Sequence, residues 1–532
     1  MAATFDYVIV GAGSAGCVLA NRLSADRTVK VLLLEAGGRD DSFLIRMPAG
    51  IARLITPDVN WLYETAPQPH LKGRRLFWPR GKTLGGSSSI NAMVYIRGQR
   101  QDYDLWRRLG NPGWGYDDVL RYFRRSEHNE TRAGDLHGAG GPLNVCECRY
   151  TNPLTREFVA AAAAAGLPLN PDFNGREQDG AGFYQVTQKR GLRCSAAAAY
   201  LHPVMHRPNL TVVTGALVQR VLIQGQRATG VTYARNGRTS EVRAEREVLI
   251  SAGAINSPQL LLLSGIGPAG EIRPFGIPVQ HDLPGVGKNL QDHLDINVIH
   301  ACTAPITLDG YARGFGALKA ALRFALFKNG PGASNVAEAG AFLRSTPQSA
   351  TPDVQLHFIP AYVVDHGRRR MPGYGLTLHV CNLRPRSRGE IRLASADPAA
   401  APRIDPRYLA DPADLAPLLA GMRRARDIYA QAPLRGYLGA EVFPGKDRQS
   451  DSDLGQFVRE AAETEYHPVG TCKMGDDEHA VVDHALRVRG IERLRVVDAS
   501  IMPTLVSGNT NAPTVMIAEK AADMILGRVA PA

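Results

Sequence analysis

The first 37 residues contain the pattern that most restricts how this chain can fold. An apolar run from Tyr7 to Val10 leads into three glycines, a stretch with helical spacing and a second apolar run from Val29 to Leu34. This order predicts a βαβ unit with parallel strands. Gly11, Gly13 and Gly16 stand where the chain must turn tightly, approach a pyrophosphate and pack a helix on the sheet. The segment therefore predicts dinucleotide binding.

An acidic residue at the end of the second strand completes this pattern. Glu35 lies 19 residues beyond Gly16, the position of a carboxylate that accepts hydrogen bonds from an adenosine ribose. Ser14 and Ala15 at the start of the helix and Ala36 beside the acid are predicted to line the same site, where helix N–H groups favour an anion. The unit alone does not separate FAD from NAD and names no reaction.

Composition places the chain among globular proteins. It has 532 residues, 44% of them apolar, which fits neither a disordered nor a collagen-like protein. The net charge of +11 comes from short basic groups such as Arg368 to Arg370, without a lysine-rich arm or an aromatic-basic alternation. We therefore predict no nucleic-acid partner. Peripheral contact with an anionic membrane surface stays compatible with this charge.

The cysteines and apolar runs bear on compartment and metal binding. Among seven scattered cysteines only Cys146 and Cys148 are close together, which matches neither a disulfide framework nor a zinc ribbon. We expect no metal site. The N-terminus has no basic leader, and the apolar stretch from Phe158 to Leu169 contains Gly166 and Pro168. We expect no signal peptide, no membrane span and a cytoplasmic location, with peripheral contact at the inner face of the cell membrane left open.

Two further motifs resemble those of a known family. Gly81 to Asp104 reads GKTLGGSSSINAMVYIRGQRQDYD, and Gly253 to Gly267 reads GAINSPQLLLLSGIG. Both resemble the signatures of the glucose-methanol-choline (GMC) oxidoreductases, and Tyr466 to Asp523 resembles that family's C-terminal active-site segment. The resemblance runs from Phe5 to about Leu526. Within the family it is strongest to the bacterial FAD-dependent aliphatic alcohol dehydrogenases and the choline dehydrogenases.

The resemblance implies a fold and a division into domains. The expected fold is an α/β FAD-binding (Rossmann-like) domain with an α+β substrate domain on an antiparallel sheet of about six strands. Residues 1–155, 195–310 and 465–532 would form the FAD-binding domain, and residues 156–194 and 311–464 the substrate-binding domain.

Alternating stretches in the second domain fit this expectation. VQLHFIPAYVV and LTLHVCNL favour antiparallel strands with one covered face. Helical spacing around residues 317–327 and 415–428 predicts helices over those strands. A pocket lined by Phe358, Ile359 and Tyr362 would suit an apolar alcohol.

The family resemblance implies FAD as the cofactor. Gly85, Gly86 and Ser87 give a loop that can adopt positive φ and offer small donors to a flat ring system. The resemblance places further residues against the cofactor: Asn91, Ala92, Met93, Val94, Val218, Asp498, Ala499, Pro513 and Thr514. Family members that attach flavin covalently carry a histidine in this loop. Here Ser89 to Asn91 supplies none, so we predict non-covalent FAD.

His467 and Asn511 are the catalytic residues that the resemblance implies. His467 precedes Pro468 and should therefore lie in a loop. An imidazole has a suitable pKa for taking the hydroxyl proton of an alcohol, while the carbon-bound hydrogen leaves as hydride to flavin N5. Asn511 would hold the substrate oxygen. The alternative for Asn511 is simple capping of the helix that Pro513 is predicted to open.

We therefore expect FAD-dependent oxidation of a primary alcohol, aliphatic or aromatic, to the aldehyde. The electron acceptor would be a quinone or another carrier, or oxygen if the protein is an oxidase. No residue in the sequence distinguishes between these acceptors. Choline is the alternative substrate. Glu338 is the candidate anchor for its ammonium group, against a structural carboxylate paired with an arginine. A flavin-containing lyase and a non-catalytic FAD-binding protein are the remaining classes.

Overall fold

Two large sheets organise the protein, whose computed structural model describes residues 3–528. Residues 1–2 and 529–532 of the predicted FAD-binding domain lie outside the described residues. The strands of the two sheets, in chain order, are β1 Ala3–Val10, β2 Val31–Leu34, β3 Gly180–Phe183, β4 Leu210–Val213, β5 Leu217–Gln224, β6 Arg227–Arg235, β7 Arg238–Ile250, β8 Leu294–Cys302, β9 Ala339–Leu343, β10 Val354–Ile359, β11 Gly375–Asn382, β12 Leu438–Phe443, β13 Glu463–Thr464 and β14 Leu494–Val496.

Helices cover both sheets. The longer ones are α1 Ser14–Leu23, α2 Arg100–Arg108, α3 Tyr116–Ser126, α4 Pro153–Ala164, α5 Gly253–Leu263, α6 Gly314–Phe327, α7 Leu415–Tyr429, α8 Asp451–Ala461 and α9 Asn511–Ile525. Single-turn helices occupy Phe43–Arg46, Ala269–Ile272 and Ala432–Arg435. Short strands pair outside the two sheets: Tyr63–Glu64, Phe77–Trp78, Glu127–Asn129, Leu143–Glu147, Gln185–Val186, Gln188–Lys189, Leu192–Arg193, Ile266–Gly267, His281–Asp282, Glu390–Arg392 and Arg403–Asp405.

The first sheet contains the predicted βαβ unit. Its order is β4-β2-β1-β7-β6-β5, and β14 pairs with β7. The contacts of β1 with β2 and β7, of β2 with β4 and of β7 with β14 are parallel. Because these strands run in one direction, the carboxyl ends of β1, β2, β7 and β14 meet at one edge. In open α/β sheets this edge is where ligands bind.

The second sheet is antiparallel, as expected. Its order is β12-β8-β11-β10-β9-β3, with the two-residue β13 added beside β8. Helix α7 crosses it so closely that a Cβ atom on Gly421 would lie 2.3 Å from Cγ1 of Val380. The predicted fold class, an α/β part joined to a part with an antiparallel sheet, is confirmed.

One predicted domain boundary disagrees with the way the strands pair. Strand β8 lies within residues 195–310, which we assigned to the FAD-binding domain, yet it pairs with β11 and β12 in the second sheet. Residues 294–299 of β8 are all buried. Asp295 and Asn297 alternate with apolar neighbours, which is typical of a strand but does not show which of the two sheets the strand joins.

Candidate active site

A cavity of about 870 Å³ lies between the carboxyl edge of the first sheet and the second sheet. Its lining includes most of the residues singled out from the sequence: Gly11, Gly13, Ser14, Ala15, Glu35, Ala36, Gly86, Ser87, Asn91, Ala92, Met93, Val94, Val218, His467, Asp498, Ala499, Asn511 and Thr514. Segments separated by hundreds of residues therefore meet at one site.

Glycines form one wall of this cavity by keeping backbones close together. Gly11 follows β1 with φ of +96°, and a Cβ atom there would lie 2.6 Å from the Ser251 carbonyl oxygen. On Gly86, with φ of +52°, a Cβ atom would lie 2.8 Å from Cα of Gly13. Side chains at Gly11 and Gly86 would therefore strain the backbone. They would also fill the space between these backbone segments, which we call the cradle.

Three helices begin at the cavity. Helices α1, α5 and α9 follow Gly13, Ala252 and Thr510, and none of these residues makes a side-chain capping bond. In α5 the first N–H group, that of Gly253, donates to Asp498 at 2.9 Å. The cap residues of α1 and α9 leave the first N–H groups of those helices without a side-chain acceptor. Together with the helix dipoles, such N–H groups favour a bound anion. This arrangement fits the pyrophosphate of FAD.

Glu35 occupies the end of β2, as the sequence predicts. Its carboxylate accepts hydrogen bonds from the backbone N–H groups of Ala12 and Gly37, both at 2.8 Å. Burial raises the pKa of Glu35 to about 7 even though these two donors favour the charged form. Each carboxylate oxygen keeps a lone pair that a ribose hydroxyl can use.

Ser251 and Asp498 support the same edge. The Ser251 hydroxyl is buried at the cavity and has no hydrogen-bond partner. An orphaned polar atom at this place fits a site built for a polar ligand. Asp498 accepts bonds from N of Gly253 at 2.9 Å and from Oγ of Ser257 at 2.5 Å. It thereby holds the start of α5 against the cavity.

The loop from Gly85 to Ser89 contributes fewer residues to the cavity lining than its sequence suggests. Ser87 lines the cavity, but the hydroxyls of Ser88 and Ser89 donate to the carbonyl oxygens of Gly85 and Leu84 at 2.6 Å. The hydroxyls of Ser88 and Ser89 are therefore used within the loop.

Three residues of the predicted cofactor set stand behind the lining. Gly85 has φ of +84°, and a Cβ atom there would lie 2.2 Å from Oγ of Ser89. A Cβ atom on Gly16 would lie 1.9 Å from the Gly11 carbonyl oxygen, so this glycine serves helix–sheet packing. Pro513 is buried within the first turn of α9. Gly16, Gly85 and Pro513 shape the site without lining it.

His467 is held on a loop by contacts on both sides of its ring. Its backbone N–H donates to Asp292 at 2.7 Å. Its Nδ1 atom lies 3.0 Å from Nδ1 of His293, and its Nε2 atom lies 3.2 Å from the amide nitrogen of Asn509. Burial places the pKa of His467 well below its usual value. The imidazole is therefore neutral near pH 7 and able to accept a proton.

These contacts define which nitrogen accepts it. His293 Nε2 lies 3.2 Å from the Leu383 carbonyl oxygen, an acceptor, so this nitrogen carries the hydrogen of the ring. Burial lowers the pKa of His293 to about 3, so His293 is neutral and its Nδ1 is an acceptor. Nδ1 of His467 must then carry its hydrogen. Nε2 of His467 is left with the lone pair.

Two asparagines at the start of α9 meet different partners, and the sequence singled out only Asn511. Asn511 is the first residue of α9, the cap position being Thr510, and its Oδ1 accepts a hydrogen bond from Ser14 Oγ at 2.8 Å. The capping alternative for its side chain is therefore wrong. The amide nitrogen of Asn511 stays available at the cavity, while Asn509 contacts His467. Neither Asn509 nor His293 was singled out from the sequence.

A cluster of histidines and carboxylates forms another part of the wall. His357, His379 and Glu465 line the cavity, and Nδ1 of His379 lies 2.6 Å from Asp295 and 3.3 Å from Glu465. Burial lowers the pKa of His379, but the two carboxylates outweigh it and raise that pKa well above its usual value. Both ring nitrogens of His357 are buried without a partner. They are free to bind a polar group of a ligand.

Among residues 3–528, two groups of potential metal ligands occur although the sequence predicts none: Asp295, His379 and Glu465, and Asp365, His366 and Glu463. In the first group the shortest contact, 2.6 Å, is a charge-assisted hydrogen bond. We therefore interpret it as an ion pair.

Two predicted substrate contacts are wrong. Phe358 is absent from the cavity lining because its ring stacks on Phe158 at 4.7 Å, whereas Ile359 and Tyr362 do line the cavity. Glu338 is fully buried and also absent from the lining. Its carboxylate accepts from the Asn152 N–H and the hydroxyls of Thr155 and Ser334. Glu338 therefore has a structural role with neutral donors and does not anchor a substrate cation.

Comparisons with known proteins agree on the family. Family models described as GMC oxidoreductase match residues 5–295 and 385–518. The chain is 50% identical to an alcohol dehydrogenase [acceptor] of Pseudomonas putida, over 99% of this chain and 96% of that protein. It is 47% identical to the mitochondrial choline dehydrogenase of Mus musculus, over 99% of this chain and 90% of that protein.

Solved structures resemble the whole fold. Pyridoxine 4-oxidase from Mesorbium loti superposes with a TM-score of 0.88 at 32% identity, covering 97% of this chain and 98% of that one. Formate oxidase superposes with a TM-score of 0.93 at 28% identity, covering 99% and 98%. Within residues 3–528 no helix is both long and apolar enough to cross a bilayer.

Proposed function

The chain belongs to the GMC oxidoreductase family, as its motifs predict, and from that premise we propose that it oxidises a primary alcohol, aliphatic or aromatic, to the aldehyde with FAD as cofactor. Bound FAD supplies the hydride acceptor. The observation that carries the proposal is the neutral His467 imidazole in the cavity. Its Nδ1 hydrogen is bonded to His293, which leaves the lone pair on Nε2 as the proton acceptor.

The protein holds the cofactor through the cradle on the first sheet. The N-termini of α1, α5 and α9 would hold the pyrophosphate and the electron-rich end of the flavin. Glu35 would accept hydrogen bonds from the ribose hydroxyls, and Val218 would contribute backbone contacts near the adenine. No histidine lies in the loop through Asn91, which supports non-covalent attachment.

The chain's own residues handle the hydroxyl proton. Nε2 of His467 takes this proton, so the carbonyl product forms without a positive charge on oxygen. The amide nitrogen of Asn511 donates to the substrate oxygen, because Ser14 already occupies its amide oxygen. Asn509 donates towards Nε2 and helps to hold the ring before substrate arrives.

The cavity wall gives the substrate its shape. Ile359 and Tyr362 provide apolar surface for the carbon chain, which favours an uncharged alcohol. Choline is the second candidate, since Glu465 presents a carboxylate at the cavity. That carboxylate lies 3.3 Å from the cationic His379, which weakens its attraction for an ammonium group. An uncharged alcohol is therefore the leading substrate.

A quinone or another carrier, or oxygen in an oxidase, takes the electrons in this proposal. The protein works in the cytoplasm, with peripheral contact at the inner face of the membrane. Within residues 3–528, we propose that residues 3–155, 195–310 and 465–528 form the FAD-binding domain, apart from β8, and residues 156–194 and 311–464 the substrate-binding domain.

Anaerobic mixing of the FAD-loaded protein with an alcohol panel tests the proposal. The panel runs from short and long aliphatic alcohols through benzylic alcohols to choline, and flavin absorbance is the readout. We expect bleaching by uncharged primary alcohols, and its loss in His467→Ala. His479→Ala is the matched control, because the side chain of His479 is 59% exposed and lies outside the cavity lining.

The same experiment separates the alternatives. Bleaching by choline alone would move the assignment to choline oxidation. Admission of air after bleaching should restore the flavin slowly, and rapid recovery with peroxide would identify an oxidase. A flavin that no alcohol bleaches would contradict the proposal and leave a lyase or a non-catalytic FAD-binding protein.

A further inference from the structure

Helix α6 exposes a continuous apolar face. Phe315, Leu318, Leu322 and Leu326 are 81%, 64%, 57% and 65% exposed. Their spacing of three, four and four residues places them along one side of the helix. A helix of a globular protein normally turns such a stripe towards the core.

The opposite side of α6 is anchored in the protein. Ala320 and Phe324 are buried, and the ring of Phe324 packs edge-on against Phe43 at 5.9 Å. The described residues contain nine strongly exposed large apolar side chains, and seven of them lie in α6 or next to it: Phe43, Tyr311, Phe315, Leu318, Leu322, Leu326 and Phe327. The exposed apolar surface is thus concentrated in one patch.

Positive charge surrounds this patch. Lys319 and Arg323 are exposed beside the apolar stripe, and Arg313 and Lys328 stand at the two ends of the helix. The sequence contains no Asp or Glu from residue 310 to residue 337. Arg53 adds a further cation beside α6, since its guanidinium lies 3.4 Å from the Ala312 carbonyl oxygen. An apolar face with a basic border is the pattern of helices that lie in the interface of anionic membranes.

We propose that α6 binds the surface of a bilayer containing anionic lipid, with its axis in the membrane plane. At about 1.5 Å per residue its 14 residues extend roughly 21 Å, too short to span the hydrocarbon core. The stripe therefore inserts its side chains below the headgroups while the basic residues contact lipid phosphates. A second copy of the chain fits less well, because two like-charged borders would face each other.

The position of α6 gives this contact a consequence for the cavity. Tyr311, Arg313, Leu318 and Ala321 line the same cavity that contains His467. Arg369 and Arg370 also belong to the lining. Docking through α6 would therefore bring this part of the cavity wall to the lipid surface, where long-chain alcohols accumulate.

Sedimentation with vesicles tests the surface directly. The full FAD-loaded chain is mixed at low salt with vesicles of phosphatidylglycerol and phosphatidylcholine, or with phosphatidylcholine alone. We expect binding to the anionic vesicles and release as salt rises. Leu322→Gln combined with Leu326→Gln should lower the partition coefficient at least about tenfold. Lys319→Glu combined with Arg323→Glu should do the same.

Leu169→Gln is the matched control, because Leu169 is 63% exposed but lies away from α6, and it should bind vesicles like the unmodified protein. Equal binding to both vesicle types, or unchanged binding of the Leu322/Leu326 variant, would overturn the proposal. A dimer that becomes monomeric in this variant, without vesicle binding, would assign the stripe to self-association instead. Leu322 and Leu326 lie outside the cavity lining, so bleaching by a short alcohol tests the proposed function separately.

Discussion

Nδ1 of His293 lies 3.0 Å from Nδ1 of His467, across 174 residues of sequence. This contact makes His293 a positioning residue, since it accepts the Nδ1 hydrogen of His467 and leaves Nε2 as the base. The arrangement matches the general logic by which a second group orients a catalytic imidazole.

Replacing His293 should slow the reaction without weakening substrate binding. In His293→Phe the Nδ1 hydrogen of His467 loses its acceptor, and we expect kcat to fall at least about tenfold with little change in KM. His293→Gln retains an oxygen that can accept this hydrogen and should recover part of the rate. Steady-state kinetics of both variants checks this, and equal rates for Phe and Gln would contradict a positioning role.

The pH profile of the same variants gives an independent test. Because the pKa of His467 is lowered, kcat/KM of the unmodified protein should decrease only when the pH falls below about 6.5. His293→Phe removes the neutral acceptor that also stabilises the protonated His467 ring, so the pKa of His467 should fall further and the acid limb should move to lower pH. An unchanged limb would mean that another group controls it.

Glu35 should make FAD affinity depend on pH. Its pKa of about 7 means that the carboxylate protonates as the pH falls from 8 to 6, and the protonated form is a weaker acceptor for ribose hydroxyls. We therefore expect the dissociation constant for FAD to rise over this range, as measured by quenching of flavin fluorescence.

Glu35→Gln should remove that pH dependence and weaken binding at pH 8 about tenfold or more, because its NH₂ group meets a backbone donor. Glu64→Gln is the control, since Glu64 is exposed. A pH dependence that survives in Glu35→Gln would assign it to another residue.

Gly11 should be intolerant of a methyl group for two separable reasons. Gly11→Ala places a Cβ at positive φ and 2.6 Å from a carbonyl oxygen, so we expect loss of FAD binding and a stability loss above about 1–3 kcal/mol. Gly237→Ala is the matched control, because Gly237 has φ of +74° with open space around it. Thermal unfolding of both variants isolates the close approach, and equal losses would show that φ alone is responsible.

Phe358 and Ile359 should respond to truncation in different ways. Phe358→Ala removes a buried ring stacked on Phe158 and should lower the free energy of unfolding by about 3–5 kcal/mol. Ile359→Ala opens the cavity wall and should change KM along a series of alcohols. Chemical denaturation and kinetics together check this pair, and a larger KM effect for Phe358→Ala would reverse the assignment.

The cofactor site could be predicted because its residues follow local sequence patterns. Contacts between distant segments could not be predicted in this way. Gly11 and Glu35 belong to one βαβ unit whose spacing directly reflects its geometry. His293 meets His467 only through the fold, and no nearby residue in the sequence marks that contact. Asn509 and Asn511 are only two residues apart, yet Asn509 contacts His467 and Asn511 contacts Ser14. Which partner each one meets depends on how the chain enters α9.

The substrate wall shows a different reason for failure. Along β10 the polar Gln355 and His357 alternate with apolar residues, so Ile359 shares the side of His357 and Phe358 lies on the other side. His357 and Ile359 line the cavity. The alternation thus separates Phe358 from Ile359, but the sequence does not show that the polar side of the strand is the one that faces the cavity. Glu338 was misleading for a related reason, since a buried carboxylate and a ligand-binding carboxylate look alike until their donors are known.

The pairing of β14 with β7 has a consequence for biosynthesis. Residues 248–250 of β7 leave the ribosome long before their neighbours 494–496 do. During that interval the nascent protein carries an open strand edge, which other chains can pair with. A polypeptide truncated before β14 would also lack α9 and its N–H groups. Assembly of the holoenzyme is thus a late event that awaits the final stretch of translation.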